Sequence, residues 1–153
     1  MSKRIFLILD SIRSRENVGS IFRTADAFGI SRIYLCGITP TPPHDKIFKT
    51  ALGAEKNVPW EYHKQAWRLA DKLVADGISL IALEQDFNSK NLSDYKPSTK
   101  KPLALIVGNE VGGVSKSLLA RVDKIIEIPM RGQKESLNVA VATGIALYSF
   151  MQK

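Results

Sequence analysis

Three polar stretches carry the residue types that could do chemistry. The first is Asn17-Val18-Gly19-Ser20-Ile21-Phe22-Arg23-Thr24-Ala25, preceded by the basic residues Arg13 and Arg15. Val18, Ile21, Phe22, Ala25 and Phe28 recur at helical spacing, and at 100° per residue Arg23 lies about 160° from the centre of that stripe. Arg23 therefore faces away from the core. A solvated arginine and an asparagine helix cap account for this segment; the functional alternative is contact with a phosphate or sugar, supported by Arg13 and Arg15. The second stretch is Gly108-Asn109-Glu110-Val111-Gly112-Gly113-Val114-Ser115. Its glycines allow backbone amides to approach a ligand, and Ser115 can cap a helix beginning at Lys116. A tight turn explains the glycine pair, but not an amide and an acid set directly after an apolar strand. The segment is neither a P-loop nor a dinucleotide fingerprint, because neither spacing is present. The third stretch runs from Ile128-Pro129-Met130 through Arg131 and Lys134 to Ser136-Leu137-Asn138-Val139-Ala140. There Ser136 can begin a helix whose first turns are small and apolar.

All three stretches follow apolar runs, and the rest of the chain shows why. Runs rich in β-branched and aromatic residues occur at Arg4–Leu9, Arg32–Cys36, Trp60–His63, Ser79–Leu83, Leu103–Val107 and Lys124–Pro129. Helical patterns separate most of them: 18–28, then Ala66, Leu69, Ala70, Leu73 and Val74, and a last helix from about Leu137 to Met151. Strands alternating with helices predict an α/β fold, a mainly parallel sheet with helices on both faces, in one domain covering 1–153. In such sheets ligands gather beyond the carboxyl ends of the strands, which is where the three stretches fall. The stretches 37–46 and 85–102 read as surface loops.

Composition narrows the function classes. The 153 residues include 22 Lys+Arg and 15 Asp+Glu, a net charge of +7, and 44% are hydrophobic. This predicts a basic globular domain with general affinity for polyanions. No apolar run approaches the roughly 20 residues of a membrane span. The N-terminus reaches Asp10 too soon to hold a signal peptide's apolar region, so a cytoplasmic location is expected. A single cysteine, Cys36, excludes an intrachain disulfide, and His44 and His63 have no metal-ligand spacing.

Taken together and in this order, the three stretches resemble the motifs of the SpoU/TrmH branch of the SPOUT methyltransferases, RNA ribose 2′-O-methyltransferases. Lys49-Thr50-Ala51-Leu52-Gly53-Ala54-Glu55 is similar to that family's segment between the second and third strands. The resemblance implies a deep trefoil knot in the C-terminal part, S-adenosylmethionine as cofactor, and a homodimer with the last helix near its interface. It assigns cofactor binding to Leu83, Gly108, Ile128, Ser136 and Leu137. Arg23 would act on the 2′-hydroxyl, with Asn17, Glu110, Ser136 and Asn138 orienting it and the substrate. The family's relatives often carry an added RNA-binding domain, so here the catalytic domain itself is expected to hold tRNA or rRNA. Arg13, Arg15, Arg23, Lys49, Arg131 and Lys134, with Lys46 beside them, would supply the charge. An RNA-binding protein of the same fold without catalysis, and a methyltransferase acting on a base nitrogen, are the alternatives.

Overall fold

The computed structural model describes residues 4–152; Met1–Lys3, the basic start used in the signal-peptide reading, and Lys153 lie outside the described residues. Seven strands form one sheet: β1 (Ile5–Asp10), β2 (Arg32–Cys36), β3 (Trp60–His63), β4 (Ser79–Leu83), β5 (Lys90–Asn91), β6 (Leu103–Gly108) and β7 (Lys124–Glu127). Their order is β3-β2-β1-β6-β4-β7-β5, and every pairing is parallel. Among the described residues five α-helices accompany them: α1 (Arg15–Ala27), α2 (Asp45–Ala51), α3 (Ala66–Ala75), α4 (Lys116–Leu119) and α5 (Val139–Met151).

Strand periodicity sorts the core into two layers. Successive side chains of β1 point to opposite faces. Ile5, Leu7 and Leu9 join Leu103, Leu105 and Val107 against α1, α2 and α5, whereas Phe6 and Ile8 join Ala104 and Ile106 against α3 and α4. Both β1 and β6 are buried along their whole length. That is why their runs are apolar without alternation. Fully burying a side chain such as Phe22 or Ile21 stabilises the fold by about 1.5–3 kcal/mol, and both are completely covered where α1 meets the sheet.

The layout also fixes where a site can form. From β1 the chain runs outward through β2 and β3, crosses to β4, and only later fills the gap between β1 and β4 with β6. Asp10 pairs with Gly108 at the carboxyl ends of β1 and β6, the switch point where open α/β sheets bind ligands. On one flank α1 is pressed onto α2. A Cβ at Gly19 would collide with Thr50 Oγ1 and the Ile47 carbonyl, and Thr50 Oγ1 donates to the Glu16 carbonyl at 3.0 Å.

Several boundaries differ from the sequence reading. β1 and β6 each run one residue further, to Asp10 and Gly108, and β7 ends at Glu127 rather than Pro129. The short strand β5 and a 3-10 turn at Leu92–Asp94 lie in the stretch read as a loop, and α2 starts inside the other. Helix α1 is capped by Ser14, not Asn17: Ser14 Oγ accepts the Asn17 N–H at 3.1 Å, which leaves the Asn17 side chain free for another partner. Helix α5 begins at Val139 and is capped by Asn138, not Ser136, because Asn138 Oδ1 accepts the Ala140 and Val141 N–H groups.

Candidate functional site

The glycine-rich stretch is a turn folded back onto the end of β6. Asn109 and Gly113 exchange backbone hydrogen bonds at 3.1 and 2.9 Å, and Asn109 Oδ1 accepts the Val111 and Gly112 N–H groups. Gly113 has φ +72°, in the left-handed region. A Cβ on Gly108 would run into the backbone of Gly113 and Val114, so only glycine lets the turn lie so close. Two groups at and just after the end of β1 hold it from that side. Buried Asp10 accepts the Ser115 N–H at 2.8 Å, and Asn109 Nδ2 donates to the Ser11 carbonyl at 2.7 Å. Ser115 occupies the cap position of α4, but its side chain makes no capping bond.

Glu110 joins the three stretches. Its Oε1 accepts the Arg13 N–H at 2.9 Å, and its Oε2 accepts the Ser14 N–H at 3.0 Å and Asn17 Nδ2 at 3.1 Å. Asn17 Oδ1 in turn accepts Asn138 Nδ2 at 3.0 Å. Partial burial pushes the Glu110 carboxyl upward, but the backbone N–H groups of Arg13, Ser14 and Glu110 itself, together with Asn17, outweigh it and hold the carboxyl below its ordinary value. A carboxylate so held is an orienting anion and a weak base. Nearby, burial and then the Asp10 charge push the Cys36 thiol up to about 12, so it remains an unreactive part of the core.

Beside this network lies a cavity of about 790 Å3, within the 300–1,000 Å3 common for ligand sites. Leu83, Gly108, Ile128, Ser136 and Leu137, the five residues expected at the cofactor, all line it, as do Glu110 and Asn138. The wall suits a molecule with apolar parts and positive charge. Leu83, Val107, Ile128 and Leu137 supply apolar surface, and Glu84, Asp86, Glu110 and Glu135 outnumber Lys116. Gln85 Nε2 donates to the Glu135 carbonyl at 2.8 Å, tying together the loops after β4 and β7 on the cavity's rim.

The other expected residues do not enter this network through their side chains. Arg23 is exposed on α1 and, among the described residues, enters no ion pair. Arg13, Arg15, Lys46, Lys49, Arg131 and Lys134 are all exposed, spread over the loop before α1, the first turn of α1, α2 and the loop after β7. Asp10, Ser14 and Asn109 were not singled out as site residues. Their signal was present: an acid, a serine and an amide each follow an apolar strand or precede a helix. What the sequence does not carry is which backbone amide each one holds. Among the described residues no group of three or more His, Cys, Asp and Glu side chains could hold a metal ion, and no helix is long and apolar enough to cross a membrane.

A second concavity, of about 660 Å3, runs between α1 and α5. Its α1 wall is polar, with Glu16, Asn17, Ser20 and Thr24; its α5 wall is apolar, with Val141, Ile145 and Tyr148. Asn138 stands at the junction of both cavities.

The fold is shared with known proteins. The chain is 33% identical over 146 residues to the 23S rRNA (guanosine(2553)-2′-O)-methyltransferase RlmP of Bacillus subtilis, covering 95% of this chain and 57% of that protein. It therefore spans little more than half the length of that relative. An S-adenosylmethionine-bound rRNA methyltransferase from Sinorhizobium meliloti superposes with a TM-score of 0.90 at 30% identity, over 97% of this chain and 56% of the other. A structure solved to explain 2-OH methylation of C/U34 on tRNA superposes with a TM-score of 0.85 at 25% identity, over 98% of this chain and 95% of that one. The sequence profile of the SpoU rRNA Methylase family matches residues 4–148, and the chain belongs to that family.

Proposed function

We propose that the protein is a ribose 2′-O-methyltransferase acting on tRNA or rRNA with S-adenosylmethionine as cofactor. One observation carries this reading: Glu110, Asn17 and Asn138 are hydrogen-bonded in series across three separate loops, on the edge of a cavity lined by Leu83, Gly108, Ile128, Ser136 and Leu137. Those five residues hold the cofactor, whose bound sulfonium supplies an electrophilic methyl group. Similarity to an enzyme of 23S rRNA and to a structure concerned with tRNA supports RNA as the acceptor without choosing between them.

The protein's own tasks are then to position the ribose and to make its hydroxyl more nucleophilic. A guanidinium, with a pKa above about 12, is a poor general base. Arg23 instead fixes the phosphate beside the target and stabilises negative charge as it develops on the 2′-oxygen. Glu110 accepts three donors and orients the Arg13–Asn17 segment, while Asn17, Ser136 and Asn138 orient Arg23 and the substrate. The exposed cations Arg13, Arg15, Lys49, Arg131 and Lys134 hold the RNA backbone, so affinity falls steeply with salt.

The working unit is a homodimer in the cytoplasm. Helix α5 contains no charged residue between Val139 and Met151, yet Val141, Ile145 and Tyr148 are exposed. A helix apolar on all sides belongs in an interior, and a second copy would provide one. The same association supplies Arg23 to a site shared by two subunits, and a knotted C-terminal part holds the cofactor loops together.

The test is incubation with methyl-labelled S-adenosylmethionine and total RNA from a strain lacking the gene, followed by nuclease digestion and mass analysis. A 2′-O-methylated nucleoside is expected. Label on a base nitrogen, or cofactor-independent RNA binding with no label transferred, would overturn the reading.

A further inference from the structure

Glu84 belongs to none of the three stretches, yet it touches the second. It follows the end of β4, where its N–H donates to the Ile126 carbonyl at 2.9 Å and fixes its backbone to β7. Its Oε2 accepts the Val114 N–H at 2.8 Å, and its Oε1 accepts the adjacent Gln85 N–H at 3.0 Å. The residue that follows the turn, Ser115, is held from the opposite side by Asp10 of β1. The end of the turn is thus pinned between carboxylates at the ends of the two strands that flank β6.

The fit around Glu84 is close. A Cβ at Gly113 would overlap Glu84 Oε2, and a Cβ at Gly108 would overlap the backbone of Gly113 and Val114. The carboxylate, the turn and the strand end are stacked with no space between them. Gly108, Gly113, Val114 and Glu84 all line the 790 Å3 cavity, so the position of the turn sets the shape of its wall. Val114 is itself buried. Without Glu84 its part-buried N–H loses its acceptor, and the turn gains a reason to lift away from Gly108.

We propose that Glu84 is a positioning residue for the cofactor cavity: by accepting the Val114 N–H it holds the 109–114 turn against Gly108, and its carboxylate is one reason residue 113 must be glycine. This inference rests on the cavity's being the S-adenosylmethionine site.

Two measurements on the full chain test it. Hydrogen exchange of the cofactor-free protein should show the 109–114 amides exchanging at least tenfold faster in Glu84→Ala, with the β1 and β6 amides unchanged. Calorimetry with S-adenosylmethionine should show the Kd raised about tenfold in Glu84→Ala, the lost acceptor being worth about one factor of ten. Glu84→Gln, which keeps an amide oxygen for Val114 and gives up only the exposed bond from the Gln85 N–H, should stay within about threefold of the original protein, because one acceptor rather than a charge is required. Gly113→Ala should weaken cofactor binding too, and less so in the Glu84→Ala background, since the two share one contact.

Unchanged exchange and affinity in Glu84→Ala would overturn the proposal. So would equal impairment of Glu84→Gln and Glu84→Ala, additive effects at positions 84 and 113, or loss of the folding transition in Glu84→Ala. Failure of the original protein to bind S-adenosylmethionine would instead overturn the cofactor reading, and the exchange measurement would still report on the clamp.

Discussion

The loops at the carboxyl end of the sheet and the outward face of α5 meet at Asn138, and they are finished to different degrees. In the loops, the polar side chains answer one another and the backbone within the chain: Asp10 holds Ser115, Glu110 holds Arg13 and Ser14, and Asn17 links Glu110 to Asn138. On α5 the opposite holds. Val141, Ile145 and Tyr148 keep 52%, 41% and 57% of their surface exposed, although the helix carries no charge to keep such a face in water. A single chain therefore completes its orienting network and leaves the outward face of its apolar helix uncovered. Preorganisation is a property of the monomer, and in the proposed homodimer completion of the site would be a property of two copies.

The largest effect should come from the residue that belongs to neither region. Arg23 is exposed on α1 without an ion pair among the described residues. Arg23→Ala should slow methyl transfer about 100–1,000-fold, the range for removing one donor aimed at developing charge. Affinity for S-adenosylmethionine should be unchanged, because Arg23 does not line the 790 Å3 cavity. Arg23→Lys should remain impaired, since an ammonium lacks the planar fork. Near-normal turnover in the lysine variant would refute the positioning account.

A comparable break is available on α5. Ile145→Asp places a charge on the exposed apolar face and should weaken the proposed dimer at least about 100-fold, since a buried unpaired charge costs several kcal/mol. The folded monomer should be almost unaffected, as Ile145 is 41% exposed within it. Sedimentation should show the mass halving and turnover falling with it. A parent protein that sediments as a monomer at tens of micromolar would remove the contrast between the two regions.

How much of this was legible in the sequence follows the same division. A buried strand such as the one read at Leu103–Val107 is legible because both faces are covered and the run is unbroken. Lys90–Asn91 was not, since a two-residue strand has no periodicity and exists only through its pairing with β7. The caps of α1 and α5 lie a few residues from the positions their sequences suggest, for a related reason. Ser14 and Asn17 can both cap, and the choice is settled by Glu110, 93 residues from Asn17 along the chain. Only family resemblance marks the five cavity residues as a set. Composition and spacing alone left Gly108 as part of a turn and Ser136 as a helix start.

Asn138 tests the junction itself, with an intermediate effect. Asn138→Ala removes the cap of α5 and its link to Asn17, and should lower unfolding free energy by about 1–2 kcal/mol in denaturant titrations. Asn138→Asp keeps a capping oxygen but has no Nδ2 to donate to Asn17 Oδ1. Its stability should stay within about 0.5 kcal/mol, while methyl transfer falls. If the two variants lose stability equally, capping is not what Asn138 contributes to α5.

The smallest effect concerns Glu110 and is read in pH. Its folded carboxyl sits below the ordinary glutamate value of 4.5, so the folded chain binds this proton less readily than the unfolded chain does. The stabilisation this provides is therefore complete above the unfolded value and is lost as pH falls through the folded one. Glu110→Gln should remove that part of the acid slope while leaving stability at pH 7 to report only the changed hydrogen bonds to Arg13, Ser14 and Asn17. Because the carboxylate is exposed to solvent on one side, the slope should be shallow and should weaken further with salt. An identical acid limb in the two proteins would mean that Glu110's bonds orient the loop without favouring the ionised carboxylate, and that the network is held by geometry alone.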